Sequence, residues 1–322
     1  MIALVFTGGT ISMRHDAALG GAVPALSAQE ILAATRGIEA VADVFVDEWG
    51  AFPGPHMTLE RMWLLRARIR ELVARDDVDG VVVTHGTDTL EESAYLVARS
   101  VDAAKPVVFT GAMRNASDLG WDGPANLMDA VRVASHADSR GYGAMAVLGG
   151  RVYAGLDVTK AHTHLPDAFE SPGLGPVGVV DDDNVIFRRA LPPLPQLLEP
   201  LSLGLPVDIV TAYAGADARL IDAVRASARG LVVAAMGRGN VPPVMVGGIE
   251  RWIADGKPVV IASRAQRGRV GHTYGYPGGG RRLHDLGALF AGARRPQQAR
   301  IDVALGLGLG MDTTALRAVF DE

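Results

Sequence analysis

From residue 1 to about 186, short continuous apolar runs alternate with longer stretches in which apolar positions recur every three or four residues. The runs at 2–6, 41–46, 78–83, 106–109 and 144–148 are too short for helices and predict strands. Between them, Leu59, Met62, Leu65, Ile69, Leu72 and Val73 fall at helical spacing and predict a helix over 59–74. A second helix is predicted over 124–137, with Pro124 in the first turn, where its missing amide costs nothing. Strand-helix alternation of this kind predicts an α/β fold, with a parallel, doubly wound sheet in a larger N-terminal domain.

The pattern lapses at Leu191-Pro192-Pro193-Leu194-Pro195 and on through Pro200 and Pro206. Each proline lacks an amide donor and restricts the residue before it, so 191–206 is predicted to link an N-terminal domain over 1–190 to a smaller C-terminal α/β domain over 207–322. In the second domain, strands are predicted at 207–212, 231–235 and 259–262, and helices at 216–226, 242–254, 297–305 and 313–320, the last capped by Asp312. The glycines of Leu305-Gly306-Leu307-Gly308-Leu309-Gly310 are expected to form a turn into that last helix.

Two of the predicted strands run into turns rich in threonine and glycine, Thr7-Gly8-Gly9-Thr10 and Thr84-His85-Gly86-Thr87-Asp88-Thr89. Both would stand at the carboxyl ends of parallel strands, where open α/β sheets bind ligands. The first turn has neither the glycine spacing of a dinucleotide site nor the lysine of a P-loop. It is a plain tight turn, or one whose glycines let a ligand approach the backbone while Thr10 presents its hydroxyl to the cleft. In the second turn, Thr89-Leu90-Glu91-Glu92 reads as a capping box with Thr89 at the N-cap. Thr87 and Asp88 then precede a helix amino terminus, where free amides and the helix dipole favour an anionic group, although capping alone would also account for them.

A threonine hydroxyl is a weak nucleophile near neutral pH and needs a base or a proton relay. Lys160, in Asp157-Val158-Thr159-Lys160-Ala161-His162-Thr163, is the candidate. Burial favours its neutral amine and a neighbouring Asp88 favours its ammonium, so the sequence leaves both states open.

Charge and cysteine content narrow the choice of function. The 31 basic and 36 acidic residues leave a net charge of −5 with no basic tail, which argues against nucleic acid and anionic membranes as partners. The lack of cysteine removes disulfides, thiolate zinc sites and cysteine nucleophiles. No uninterrupted apolar run reaches membrane-spanning length, and the amino terminus runs into the first strand without a positive leader. No signal peptide and a cytoplasmic location are therefore expected. His162 and His164 would share one face of a strand, but without thiolates or a helix-spaced histidine pair no metal site is expected.

Taken together, the motif blocks resemble those of the bacterial-type L-asparaginases, which are threonine-dependent amidohydrolases. The matching blocks are Thr7-Gly8-Gly9-Thr10-Ile11, the second turn with Glu91-Glu92, Gly111-Ala112-Met113-Arg114, Asp122-Gly123-Pro124-Ala125-Asn126-Leu127, and Lys160 with Asp167-Ala168-Phe169-Glu170-Ser171-Pro172. They follow the family's order across most of the predicted N-terminal domain. The resemblance implies that Thr10 attacks a side-chain amide carbon, releasing ammonia and leaving an acyl-enzyme that water resolves to aspartate. It implies that Thr87, Asp88 and Lys160 form a second catalytic group, with Asp88 also binding the substrate α-amino group. Backbone amides near Thr87 or Ala112 would stabilise the oxyanion, an effect of about 3 kcal/mol per donor. Gly237-Arg238-Gly239-Asn240 is similar to the family turn whose asparagine reaches a neighbouring subunit's site, which implies a role for Asn240 in a homodimer or homotetramer. No metal or organic cofactor is implied.

Three departures bear on the substrate. The lid-like segment 12–22 carries no tyrosine where the family usually has one. In Phe52-Pro53-Gly54-Pro55-His56-Met57-Thr58, Gly54 and Pro55 replace the serine and polar residue that hold the substrate α-carboxylate in many relatives, leaving the Gly54 amide as donor. The family's acidic contact from the neighbouring subunit has no counterpart in 271–280, where Tyr274 and Tyr276 are either substitutes for it or structural aromatics. Four readings stay open: asparagine hydrolysis, hydrolysis of another small amide, an ammonia-producing amidotransferase subunit, and a non-catalytic amino-acid-binding protein.

Overall fold

The computed structural model describes residues 1–192 and 195–321. They form two compact units, Met1–Leu197 and Leu198–Glu322. Among the described residues, no strand or helix forms between Phe187 and Val207; Pro193 and Leu194 of the predicted linker, and Glu322, lie outside them.

The first unit begins with β1 (Ile2–Phe6), the hairpin β2 (Met13–Asp16) and β3 (Gly21–Pro24), α1 (Ala28–Ala34), α2 (Ile38–Val41) and β4 (Val44–Asp47). It continues through α3 (Leu59–Val73), β5 (Gly80–Thr84), α4 (Leu90–Ser100), β6 (Val107–Thr110), α5 (Gly123–Ser135) and β7 (Ala144–Leu148). Five short strands follow: β8 (Arg151–Ala154), β9 (Thr159–Lys160), β10 (Phe169–Glu170), β11 (Gly178–Asp181) and β12 (Asn184–Phe187). Eight of these strands form one sheet in the order β12-β11-β8-β7-β6-β5-β1-β4. It is parallel from β4 to β7 and antiparallel through β8, β11 and β12. From β1 the chain first adds β4 on one side and then β5 on the other, so the strand order reverses between β1 and β5. That switch point opens a crevice at the carboxyl ends of these strands, where the two threonine turns lie.

Both faces of the sheet are packed. Ala3, Val5, Val81, Val83 and Phe109 meet α3 and α4 on one side, while Ile2, Leu4, Phe6, Val82 and Val108 meet α1 and α5 on the other. A fully buried Val, Leu, Ile or Phe contributes roughly 1.5–3 kcal/mol, so β1 and β5 anchor the unusual backbone that follows each of them.

Among the boundaries that differ from the sequence expectation, two have a clear local cause. The run at 41–46 splits: Val41 closes α2, and the strand starts at Val44 after extended Ala42. Both pieces face the same core cluster, so a short apolar run could not reveal the break. The helix expected over 124–137 ends at Ser135, where His136 turns extended and accepts from the Asp138 amide at 3.2 Å through Nδ1.

The second unit contains β13 (Val207–Thr211), α6 (Arg219–Arg225), β14 (Gly230–Ala235), α7 (Val246–Ala254), β15 (Val259–Ser263), α8 (Gly280–Asp285), β16 (Leu289–Phe290), α9 (Pro296–Gly308) and α10 (Thr313–Phe320). Its four strands are parallel in the order β13-β14-β15-β16. Asp312 caps α10 by accepting from the Ala315 amide at 2.8 Å. The glycine alternation before it is not a turn as expected, because α9 runs on to Gly308. These glycines permit close approach: a Cβ on Gly306 would lie 2.4 Å from the Leu316 side chain, and one on Gly308 would lie 2.1 Å from the Ser202 carbonyl oxygen.

Candidate active site

The first threonine turn is built from backbone. Phe52 donates to the Thr7 carbonyl at 2.7 Å and Gly9 to the Phe52 carbonyl at 2.9 Å, carrying pairing past the end of β1. Thr7 Oγ1 donates to the Thr84 carbonyl at 2.7 Å and ties β1 to β5. Gly9 has φ of +83°, and a Cβ there would stand 2.5 Å from the Gly86 Cα and amide nitrogen. Only glycine permits both that dihedral and that approach. The two turns therefore touch, backbone against backbone, with Thr10 half-buried at their edge. Ser12 Oγ donates to the Gly9 carbonyl at 2.9 Å and closes the single helical turn Thr10–Ser12. Among the described residues, the Thr10 side chain has no hydrogen-bond partner.

Side chains organise the second turn. Lys160 Nζ donates to Thr87 Oγ1 at 2.9 Å and to Asp88 Oδ1 at 2.7 Å, joining three of the predicted residues in one group. Thr87 is buried, whereas the Asp88 side chain is 55% exposed. An ion pair at such a rim contributes about 0–1 kcal/mol to stability, so its importance lies in where it holds the ammonium and carboxylate. Glu91, a buried carboxylate on α4, accepts through Oε2 from Thr159 Oγ1 at 2.5 Å and from the Lys160 amide at 2.6 Å.

His85 lies beneath the same turn. Its Nδ1 is 2.8 Å from the Gly86 carbonyl, which can only accept, so Nδ1 carries the proton. Nε2 then accepts from Ser93 Oγ at 2.8 Å. Complete burial pushes the imidazole down to about 4, and it is neutral at physiological pH.

Two other loops complete the crevice. Gly54 packs on the second turn: a Cβ on Gly86 would lie 2.5 Å from the Gly54 Cα, and one on Gly54 would lie 3.2 Å from Asp88 Cβ. Thr89 Oγ1 donates to the Gly54 carbonyl at 2.9 Å. The predicted capping box is therefore absent: Thr89 makes no side-chain cap bond, because its hydroxyl is engaged across the crevice. From the other side, a Cβ on Gly111 would lie 2.5 Å from the His85 carbonyl oxygen and 3.3 Å from Thr87 Cγ2, so the loop after β6 packs on the second turn at Gly111. The Asp122 carboxylate receives the Met113 amide at 3.0 Å and the Arg114 amide at 2.9 Å. Asn126 Nδ2 donates to the Gly111 carbonyl at 3.0 Å, so the start of α5 holds this loop in place.

Thr87, Asp88, Lys160 and Gly54 thus meet at the second turn, which touches the turn carrying Thr10, while Ala112 follows Gly111, which packs beside Thr87. Asn240 belongs to the second unit, where its Oδ1 accepts from the Gly280 amide at 3.2 Å. Tyr274 and Tyr276 pack against each other at 5.6 Å and are half exposed. His162 and His164 do not share a strand face, since the His162 ring accepts the amides of His164 and Leu165 at 3.0 Å in a turn. Among the described residues there is no cluster of three or more acidic, histidine or cysteine side chains that could hold a metal. The lid-like segment is the hairpin β2–β3, fastened to the loop after β6 by the Ala116 amide on the Met13 carbonyl at 3.0 Å and the His15 amide on Ser117 Oγ at 2.9 Å.

A doubly wound sheet with these residues at its switch point is the architecture of an amidohydrolase, and the chain belongs to the asparaginase family. The family model for the asparaginase N-terminal domain matches residues 1–193, and that for the glutaminase/asparaginase C-terminal domain matches residues 206–320. A probable L-asparaginase of Deinococcus radiodurans is 38% identical over 326 residues, covering 100% of this chain and 97% of that one. The L-asparaginase of Bacillus licheniformis is 34% identical over 309 residues, covering 94% of each. Among solved structures, a probable cytoplasmic L-asparaginase from Campylobacter jejuni superposes with a TM-score of 0.89 at 29% identity, over 100% of this chain and 99% of that one.

Proposed function

We propose that this protein hydrolyses the side-chain amide of L-asparagine to L-aspartate and ammonia, with Thr10 as nucleophile. The observation that carries this reading is the Lys160 ammonium bonded to both Thr87 and Asp88, on a turn in backbone contact with the turn that presents Thr10. The O–H bond of Thr10 breaks as its oxygen bonds to the amide carbon, the proton passes to the amide nitrogen, and the C–N bond breaks to release ammonia and leave an aspartyl ester on Thr10. Water then adds to the ester carbon, and the Thr10 oxygen departs with a proton as aspartate is released. Thr87 and Lys160 handle protons in this exchange. The exposed Asp88 carboxylate receives the substrate α-ammonium, and amides near Thr87 and Ala112 receive the negative charge that develops on the carbonyl oxygen.

The test is ammonia release from L-asparagine, L-glutamine and D-asparagine by the wild type and by Thr10→Ala and Thr87→Ala. Turnover of L-asparagine that both substitutions abolish is the expected result, and undiminished activity in both would remove the mechanism. Gly54 and Pro55 favour a second reading, an amidase for another small amide, because neither offers a side-chain donor to an α-carboxylate. A panel in which L-asparagine is strongly preferred rejects it.

The assembly is proposed to be a homodimer or homotetramer in which Asn240 faces the partner subunit's site; light scattering that gives a monomer would exclude this. Cytoplasmic location is proposed from the probable cytoplasmic relative of known structure, and cell fractionation tests it. No helix among the described residues is long and apolar enough to cross a membrane.

A further inference from the structure

We infer that Glu91 is a positioning residue that fixes Lys160 through its backbone, so that one helix turn holds both ends of the catalytic lysine. The inference rests on the catalytic reading of Thr87, Asp88 and Lys160. Lys160 belongs to β9, a two-residue strand paired only with the two-residue β10, which is too small a sheet to hold a side chain rigidly. What fixes it lies in α4. There Glu91 Oε2 accepts the Thr159 hydroxyl at 2.5 Å and the Lys160 amide at 2.6 Å. The other end of Lys160 reaches Thr87 and Asp88, which immediately precede the same helix.

Glu91 is the second residue of α4, and Thr87 and Asp88 lie in the turn that leads into its N-cap, Thr89. Any shift of β9 relative to α4 would move the ammonium away from Thr87, and the Glu91 carboxylate opposes that shift. Buried carboxylates are costly and are retained where charge-assisted hydrogen bonds offset the cost. Through its bonds to the Thr159 hydroxyl and the Lys160 amide, Glu91 acts on the reaction by way of Lys160.

Both donors reach the same oxygen, so a glutamine carbonyl can take over both bonds. The experiment compares ammonia release from L-asparagine by wild type, Glu91→Gln, Glu91→Ala, Lys160→Met and the double variant Glu91→Ala/Lys160→Met, with circular dichroism to confirm folding. Because misplacing a catalytic group by an ångström can cost about 100-fold, Glu91→Ala is expected to lower kcat by roughly 10- to 100-fold while KM changes by less than about threefold. Glu91→Gln should stay within about fivefold of the wild type, since it keeps the acceptor oxygen. In the Lys160→Met background, Glu91→Ala should change the residual rate by less than about twofold, because residues that act as a unit are not additive.

An equal fold-loss in both backgrounds, or a Glu91→Ala enzyme with wild-type kcat, would overturn the inference and leave the catalytic reading intact. A Lys160→Met enzyme with wild-type kcat would overturn the catalytic reading itself and the inference with it. If Glu91→Ala fails to fold, Thr159→Val carries the test. It removes one donor and keeps the carboxylate, and is expected to lower kcat by about threefold to tenfold in the wild type and not at all without Lys160.

Discussion

The two threonine turns leave neighbouring strands of one sheet, yet they are held by opposite means. The turn after β1 is fixed mainly through main-chain groups, with Gly9 at φ +83° between the Phe52 carbonyl and Gly86 and the Thr7 and Ser12 hydroxyls donating to main-chain carbonyls, and its Thr10 hydroxyl has no partner among the described residues. After β5 the turn is fixed by side chains, with Lys160, Glu91, His85 and Thr89 all anchoring it. The contrast separates two chemical needs. A nucleophile has to be free to form a bond, so its support comes from groups other than its own hydroxyl. A proton-handling and charge-binding group has to be preorganised, and a network of short hydrogen bonds supplies that.

The largest expected effect falls on the free hydroxyl. Thr10→Ala should lower kcat by at least about 10⁴-fold, since removing a nucleophile leaves only binding and oxyanion stabilisation. Its thermal midpoint should stay near the wild-type value, because no hydrogen bond is lost, and a large drop would show that Thr10 also supports the fold. On the networked side, Lys160→Met should lower kcat by roughly 10²- to 10⁴-fold, the range for a proton-transfer group. Stability should change by no more than about 1 kcal/mol, since the Asp88 partner is largely exposed and methionine keeps the buried stem of the Lys160 side chain.

His85 sharpens the comparison through pH. Its folded value of about 4 lies below the unfolded value near 6.5, so between these limits the unfolded chain binds the extra proton. Stability from this group is complete above pH 6.5 and is lost as pH falls towards 4. The loss amounts to roughly 3 kcal/mol, which urea unfolding of the wild type should show and a His85→Gln variant should lack. Next in size, Gly9→Ala should destabilise the fold by roughly 1–3 kcal/mol, because both the dihedral and the Gly86 contact must yield. A neutral result in urea unfolding would mean that the turn is looser than its geometry. The smallest effect belongs to Thr89→Val, which removes the bond to the Gly54 carbonyl and should cost about 1 kcal/mol. A larger rise in KM than fall in kcat would place that loss in the substrate pocket.

The residues that converge in the crevice were legible in the sequence because their signals are local. Thr10, Thr87 and Asp88 stand in turns after unmistakable apolar strands, and α3, β7 and α10 appear close to or at their predicted bounds. Lys160 became a candidate only once the two turns were read together and a threonine nucleophile called for a base, since its neighbours along the chain do not announce a site. What stayed hidden depends on contacts between distant elements. Thr89 looked like a helix cap, and only the arrival of Gly54 across the crevice diverts its hydroxyl. Glu91 stood in the sequence only within the predicted capping segment, but its partners are about seventy residues away. Asp122 and Asn126 form an i, i+4 pair whose purpose depends on the loop at Gly111 lying beside it. The antiparallel strands β8, β11 and β12 escaped because each has only four residues and no long periodic pattern. Gly306 and Gly308 were misread because glycine signals a turn or a close helix contact equally well, and α9 uses the second.

The most direct test of the division between the turns is to quench the enzyme during turnover of L-asparagine and map the acylated residue by peptide mass spectrometry. The account predicts an aspartyl ester on the peptide that contains Thr10 in the wild type. An ester on Thr87 in the wild type, with none on Thr10, would contradict it.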